Sequence, residues 1–90
     1  MPIGAIFEGQ GISQAQYDQA RKQVLPDNAP APGMLYHAGG PTDNGWCVIE
    51  VWESRDALDR FFQEKLSQAL QQAGINVQPR FFEVVNIVKQ

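Results

Sequence analysis

Four apolar stretches of this chain have the residue patterns of β-strands. In the first, residues 3–9, apolar side chains occupy alternate positions, as expected for a strand with at least one buried face. The other three stretches are residues 33–40, 45–53 and 80–89, and the last is rich in β-branched and aromatic residues. The pattern therefore predicts four strands.

Two segments between these strands instead have the periodicity of helices. The first begins at Ser13, which forms a capping box with Gln16 three residues later, and it ends near Pro26. The second has Ser54 as its N-cap and Gly74 just after its last turn. Its apolar residues, at positions 57, 58, 61, 62, 66, 69, 70 and 73, share one face about 100° wide. That face is expected to pack on the sheet.

The predicted order β-α-β-β-α-β is that of a ferredoxin-like α+β domain, an antiparallel four-stranded sheet with both helices on one face. Ninety residues make a single domain, residues 1–90. Residues 26–32 hold three of the six prolines and are expected to form an extended connector, while Pro41 indicates that the second strand lies at a sheet edge or contains a bulge. Because the strands are apolar on both faces, the helix-free face predicts pairing with a second copy.

One segment carries a family resemblance. In "VIEVWESRDALDRFFQEKL", residues 48–66, a strand ending in E-x-W-E-S runs into an R-D-A-L helix. This resembles the dimeric α/β-barrel superfamily, particularly the antibiotic-biosynthesis monooxygenase group and its small bacterial relatives. The resemblance implies a homodimer whose sheets form a barrel, with small-molecule clefts between each sheet and its own helices.

The same resemblance implies a range of activities. Members include cofactor-free oxygenases of polycyclic phenols, haem-degrading enzymes, isomerases and proteins without known activity. The helix of the monooxygenase-like relatives often continues as A-x-x-x-H, and here Phe61 stands where that histidine would be. The haem-ligating and acid/base roles of that position therefore have no side chain to perform them in this chain.

The lone histidine, His37, precedes a hairpin whose register decides which sheet face it joins. The Asn-Gly pair at residues 44–45 favours a two-residue type I′ turn, which would put His37 opposite Trp52 with Glu50 diagonal to it on the same face. A bulge at residues 39–41 would instead move the imidazole to the opposite face.

His37 and Glu50 are the candidate catalytic residues. Glu50 would orient the imidazole, and His37 would remove a proton from a phenol-like or enol-like substrate. A deprotonated electron-rich ring reduces oxygen more readily than the neutral ring, which is the step that a cofactor-free oxygenase needs. The alternative is a hydrogen-bonded pair with a purely structural role. The candidate substrate-binding residues are the aromatic Trp46, Trp52, Phe61 and Tyr36. For the two tryptophans core packing is the more common role, and Tyr36 is expected to be buried with its side chain directed away from His37.

Composition excludes several functional classes. Ten acidic and seven basic residues give a net charge of −3 without a basic stripe, so nucleic acid is not an expected partner. One cysteine, Cys47, and one histidine cannot supply a zinc site, and no metal or cofactor is expected. The amino terminus lacks the basic region of a signal peptide and no long apolar run is present, so we expect a cytoplasmic protein that does not enter membranes.

Two functional hypotheses follow. The first is a homodimer with an apolar cleft for a small, aromatic molecule, acting as a cofactor-independent monooxygenase or isomerase. The second is a non-catalytic ligand-binding or dimerisation module.

Overall fold

The computed structural model describes all 90 residues and contains the predicted order of elements. The strands are β1 (Ile3–Gln10), β2 (Met34–Thr42), β3 (Gly45–Trp52) and β4 (Arg80–Glu83). They form one antiparallel sheet in the order β2-β3-β1-β4. The ferredoxin-like α+β arrangement is therefore confirmed, and β2 lies at a sheet edge, where a proline such as Pro41 is tolerated.

The first helix, α1 (Gln14–Val24), begins with the predicted capping box. The backbone N–H of Gln16 donates to Ser13 Oγ at 3.2 Å, and the Ser13 N–H donates to Gln16 Oε1 at 2.9 Å. Ala20 and Val24 are buried on the side of the helix that faces the sheet. These caps and contacts fix the rotation of α1, and with it the direction of every side chain on its inner face.

The second predicted helix is divided into three parts. It begins at its Ser54 cap as α2 (Arg55–Phe61), widens into a π-helical turn (Phe62–Leu66), and continues as α3 (Ser67–Gln72). Gly74 follows with a φ of +71°, as its predicted role after the last turn requires. The prediction of one regular α-helix was wrong in the middle, because a five-residue turn there places Phe61 and Leu66 in the same core.

The proline-rich connector is less extended than predicted. Pro26–Asn28 forms a short 3₁₀ turn in which Asp27 and Asn28 have φ values of 60° and 59°. Asp and Asn tolerate this left-handed region better than other residues with a Cβ. The turn lets the chain reverse direction directly after Leu25, which is buried.

The hairpin turn lies one residue earlier than predicted. Thr42 pairs with Gly45, so residues 43–44 form the loop, and neither has the positive φ of a type I′ turn. A Cβ on Gly45 would lie 1.9 Å from the carbonyl oxygen of Gly9 in β1. Gly45 is therefore glycine because β1 and β3 approach closely there, and the sequence pattern misassigned it to the turn.

The shifted turn places His37 directly opposite Glu50, rather than opposite Trp52. The face predicted from the Asn-Gly turn is nevertheless correct. Moving the turn by one residue shifts the partner of each β2 residue by two positions along β3, and residues two apart on a strand share a face. The irregularity in β2 lies at Leu35, between Met34 and Tyr36, and not at residues 39–41. His37 and Glu50 consequently share the face that packs against the helices.

The last strand is shorter than predicted, ending at Glu83 instead of residue 89. Its pairing with β1 runs as far as Glu83 opposite Ile3, and one further hydrogen bond joins the Val84 N–H to the Pro2 carbonyl at 3.0 Å. Beyond that point β1 offers no further residues to pair with. Val85 and Val88 are 85% and 87% exposed.

A single core fills the space between the sheet and the helices. Trp52 and Leu58 are fully buried at its centre. The opposite sheet face has no covering layer, and its exposed large apolar residues are Tyr36, Ile49 and Phe82. The expected doubly apolar sheet is therefore present, with one face buried by helices and one open.

Candidate active site

A cavity of about 70 Å³ lies between the helix-facing side of the sheet and the helices. Thirteen of its 17 lining residues are hydrophobic when Tyr17 is included, and its side chains with polar groups are Tyr17, Arg21, His37, Trp46 and Glu50. Part of its wall is the connector between α3 and β4, through Ile75 and Val77. The site is thus an apolar cavity with a small polar group in its wall, which is typical of small-molecule sites.

The polar group in the wall is a continuous chain of hydrogen bonds. Tyr17 Oη lies 2.6 Å from His37 Nε2, and His37 Nδ1 lies 2.8 Å from Glu50 Oε2. The second carboxylate oxygen of Glu50 accepts from Trp52 Nε1 at 2.9 Å. Both oxygens of a carboxylate that is only 3% exposed are therefore satisfied, as a buried charge requires.

These hydrogen bonds determine which nitrogen of His37 carries a proton. The Glu50 carboxylate can only accept, so Nδ1 of the imidazole carries the proton. In the neutral imidazole Nε2 is then the acceptor, and the Tyr17 hydroxyl donates to it. Glu50 orients His37 as the sequence predicted, but Tyr17 occupies the nitrogen that would act as the base.

Tyr17 owes its position to α1 and to a glycine in β2. It lies four residues after the Ser13 cap, its ring stacks on Trp46 with a centroid separation of 5.0 Å, and a Cβ on Gly39 would come within 2.9 Å of its phenol. Burial raises the pKa of the Tyr17 hydroxyl above its ordinary value, the nearby Arg21 guanidinium opposes this rise, and Glu50 adds to it. Tyr17 is therefore a neutral hydrogen-bond donor at physiological pH.

The sequence-predicted residues divide into three groups. His37, Glu50, Trp46 and Phe61 line the cavity. Trp52 does not line it, but lies beneath it, donating to Glu50 and packing against Phe61 at a centroid separation of 5.1 Å.

Tyr36 lies on the other side of the sheet. It is 57% exposed on the open face, so it is not buried within the protomer as expected, and it does not line the cavity. The reason is the absence of any layer over that face within one protomer. Regular alternation along β2 necessarily directs Tyr36 away from His37.

Tyr17 and Arg21 are the residues that the sequence analysis missed. Tyr17 lies on the inner face of α1, and the spacing to Arg21, one helical turn later, puts both on one side. That signal places the hydroxyl near the sheet but does not reveal its partner. The pairing with His37 depends on the rotation of α1 over β2, which local sequence does not determine.

No group of three or more His, Cys, Asp and Glu side chains is arranged to hold a metal ion. No helix is long and apolar enough to cross a membrane.

Comparison with solved structures identifies the fold. No known family profile and no curated protein matches the sequence. A variant of SnoaB, a cofactor-independent oxygenase from Streptomyces nogalater, has a TM-score of 0.67 at 16% identity, covering 99% of this chain and 96% of that one. This chain has the fold of the antibiotic-biosynthesis monooxygenase-like proteins.

Two further structures extend the likeness. A putative antibiotic biosynthesis monooxygenase from Deinococcus radiodurans has a TM-score of 0.65 at 14% identity, covering 100% of this chain and 98% of that one. A conserved protein from Methanosarcina mazei has a TM-score of 0.67 at 9% identity, with 91% of each chain covered. The ferredoxin-like fold is thus shared over nearly the whole length, as the resemblance in residues 48–66 implied.

Proposed function

We propose that this protein is a cofactor-independent monooxygenase that binds a small phenol-like or enol-like aromatic molecule in the cavity. The observation that carries the proposal is the hydrogen-bonded chain from Tyr17 through His37 to Glu50 in an otherwise apolar wall. The likeness to SnoaB supports the reaction class by analogy of fold.

Tyr17 relays the proton in this proposal. The substrate O–H or acidic C–H donates to Tyr17 Oη, while the hydroxyl proton of Tyr17 moves to His37 Nε2. Buried Glu50 then faces an imidazolium, which its negative charge stabilises. The logic is that of a nucleophile–histidine–carboxylate triad, with a tyrosine hydroxyl in contact with the substrate.

Deprotonation makes the substrate a reductant for oxygen. With anthrone as the test substrate, loss of a C–H proton gives a carbanion that transfers an electron to O₂. The resulting radicals combine to form a C–O bond, and the peroxide loses water to leave anthraquinone. One O₂ is consumed and one water is released for each anthrone, so no cofactor is needed to balance the reaction.

The cavity must widen to admit such a molecule. Its volume of about 70 Å³ is less than half the roughly 150 Å³ of an engineered cavity that binds benzene. Ile75 and Val77 belong to the connector between α3 and β4, which contains no helix or strand. Displacement of this connector would enlarge the cavity without breaking the sheet ladder.

We also propose that the protein is a homodimer. Tyr36, Ile49 and Phe82 expose an apolar surface on the open sheet face, and a second sheet of the same kind is complementary to it. Face-to-face pairing would leave the cavity of each protomer uncovered, because the cavity and the open apolar surface lie on opposite faces of the sheet.

Oxygen uptake with anthrone tests the proposed activity. We expect the wild-type protein to accelerate conversion to anthraquinone beyond the rate in buffer, and His37→Ala to abolish the acceleration. His37→Asn provides a second variant, because its amide can still donate to Glu50 although it has no basic nitrogen. Ligand binding without any accelerated uptake would instead establish the non-catalytic binding module.

A further inference from the structure

The cavity contains unused hydrogen-bond donors but no unused carboxylate oxygen. Arg21 lines it and forms no salt bridge. Its only hydrogen bonds are long ones from Nη1, to the Leu25 carbonyl at 3.3 Å and to Asn28 Oδ1 at 3.4 Å. The buried Nε1 of Trp46, another lining residue, has no partner. Both oxygens of Glu50 are already occupied.

A guanidinium that has no carboxylate partner and lies at an apolar wall has a definite ligand preference. It binds planar anions, and carboxylates above all, through two parallel hydrogen bonds. Arg21 is also the group whose charge opposes the raised pKa of Tyr17, so its positive field reaches the hydroxyl that would meet the substrate. Arg21 lies one helical turn after Tyr17, so both side chains leave the same side of α1.

We propose that Arg21 selects ligands carrying an ionised carboxylate as well as a phenolic hydroxyl, that is, hydroxyaryl carboxylic acids. The hydroxyl meets Tyr17 and the carboxylate meets Arg21. The unpaired donor on Trp46 makes the cavity still richer in donors and favours an acceptor-rich ligand in the same way. This inference rests on the cavity assigned above as the substrate site and specifies the class of molecule that it takes.

A matched pair of probes tests the role of Arg21. 3-Hydroxy-2-naphthoate and 2-naphthol differ only in the carboxylate, and calorimetry measures the affinity of each for the full chain. We expect the acid to bind roughly tenfold or more tightly than the naphthol, because hydrogen bonds to charged groups are the stronger ones. Arg21→Gln should remove this preference, and Arg21→Lys should keep part of it.

Lys22→Gln is the matched control, because it deletes the same charge from the next residue, which is exposed. It should retain the preference for the acid. Equal binding of the two probes by the wild type, or a preference that survives Arg21→Gln in a folded protein, would overturn the assignment. If neither probe binds, the cavity is not the ligand site and the proposed function fails with it. If the acid preference holds but anthrone is not oxidised, only the proposed oxygenase activity fails.

Discussion

Tyr17 Oη lies 2.6 Å from Nε2 of His37, so the nitrogen that would act as a base is hydrogen-bonded to a phenol. Removing that hydroxyl should break the relay while leaving the stacking on Trp46 intact. We expect Tyr17→Phe to lower anthrone oxidation by roughly a hundredfold or more, the usual contribution of general acid–base catalysis. Tyr36→Phe changes the other tyrosine, on the open face, and should leave the rate unchanged in the same oxygen-uptake assay.

Gly39 provides the space that the Tyr17 ring occupies. A Cβ at position 39 would lie 2.9 Å from the phenol, whereas a Cβ at Gly40 meets nothing within 4 Å. Gly39→Ala should therefore displace Tyr17 from His37, reduce oxidation and cost about 1–3 kcal/mol of stability, as overpacking typically does. Gly40→Ala serves as the control. Equal behaviour of the two variants in urea denaturation and oxygen uptake would contradict this role of Gly39.

Glu50 is expected to be essential for both stability and activity. Glu50→Gln retains the shape but presents an amide N–H₂ to one of two donors, His37 Nδ1–H or Trp52 Nε1–H. An unsatisfied buried donor costs about 1–3 kcal/mol, which urea denaturation would measure. Glu64→Gln makes the same change on the exposed side of the helix and should be neutral. A fully stable, active Glu50→Gln protein would refute the importance of the buried charge.

The raised pKa of Tyr17 predicts a loss of stability in alkali. The unfolded tyrosine loses its proton near pH 10, and the folded one does so at a higher pH. Between these values the native state binds more protons than the unfolded state, so the free energy of unfolding falls as pH rises through this window. Subtracting the phenolate absorbance titration of Tyr17→Phe from that of the wild type isolates this group. A midpoint at or below 10.0 would contradict the prediction.

The open sheet face predicts the oligomeric state. Light scattering at micromolar concentration should give about twice the 10.0 kDa chain mass. Ile49→Glu places a charge in the centre of the apolar face and should yield monomers, while Gln72→Glu adds the same charge at an exposed helix position and should not. A wild-type monomer would refute the argument from the apolar face.

The sequence predicted elements well wherever a local signal was unambiguous. Ser13 and Ser54 cap their helices as expected, and Gly74 has the positive φ assigned to it. Gly45 misled the turn prediction, because glycine permits both a turn and a close approach of strands, and only the neighbouring strand reveals which applies. The shared face of His37 and Glu50 was predictable because it changes only when the strand register shifts by an odd number of residues.

The site itself was only half predictable. Hairpin partners are local, so His37 and Glu50 could be paired from the turn. Tyr17 belongs to a helix that crosses the sheet, and its contact with His37 spans twenty residues of sequence. The periodicity of a sequence does not determine where such a helix lies over a strand. The contact of Tyr17 with His37 was therefore visible only in the structure.

The π-helical turn at Phe62–Leu66 sets the spacing between two residues that line the cavity, Phe61 and Leu66. Such a turn amounts to one residue inserted into an α-helix, and deleting a single exposed position such as Glu64 would restore the regular winding. Phe61 and Leu66 would then stand four residues apart, which in a regular α-helix is still one face, so both would keep facing the cavity. Alignments of related chains should accordingly accept a one-residue gap at this point without assigning a different pocket lining.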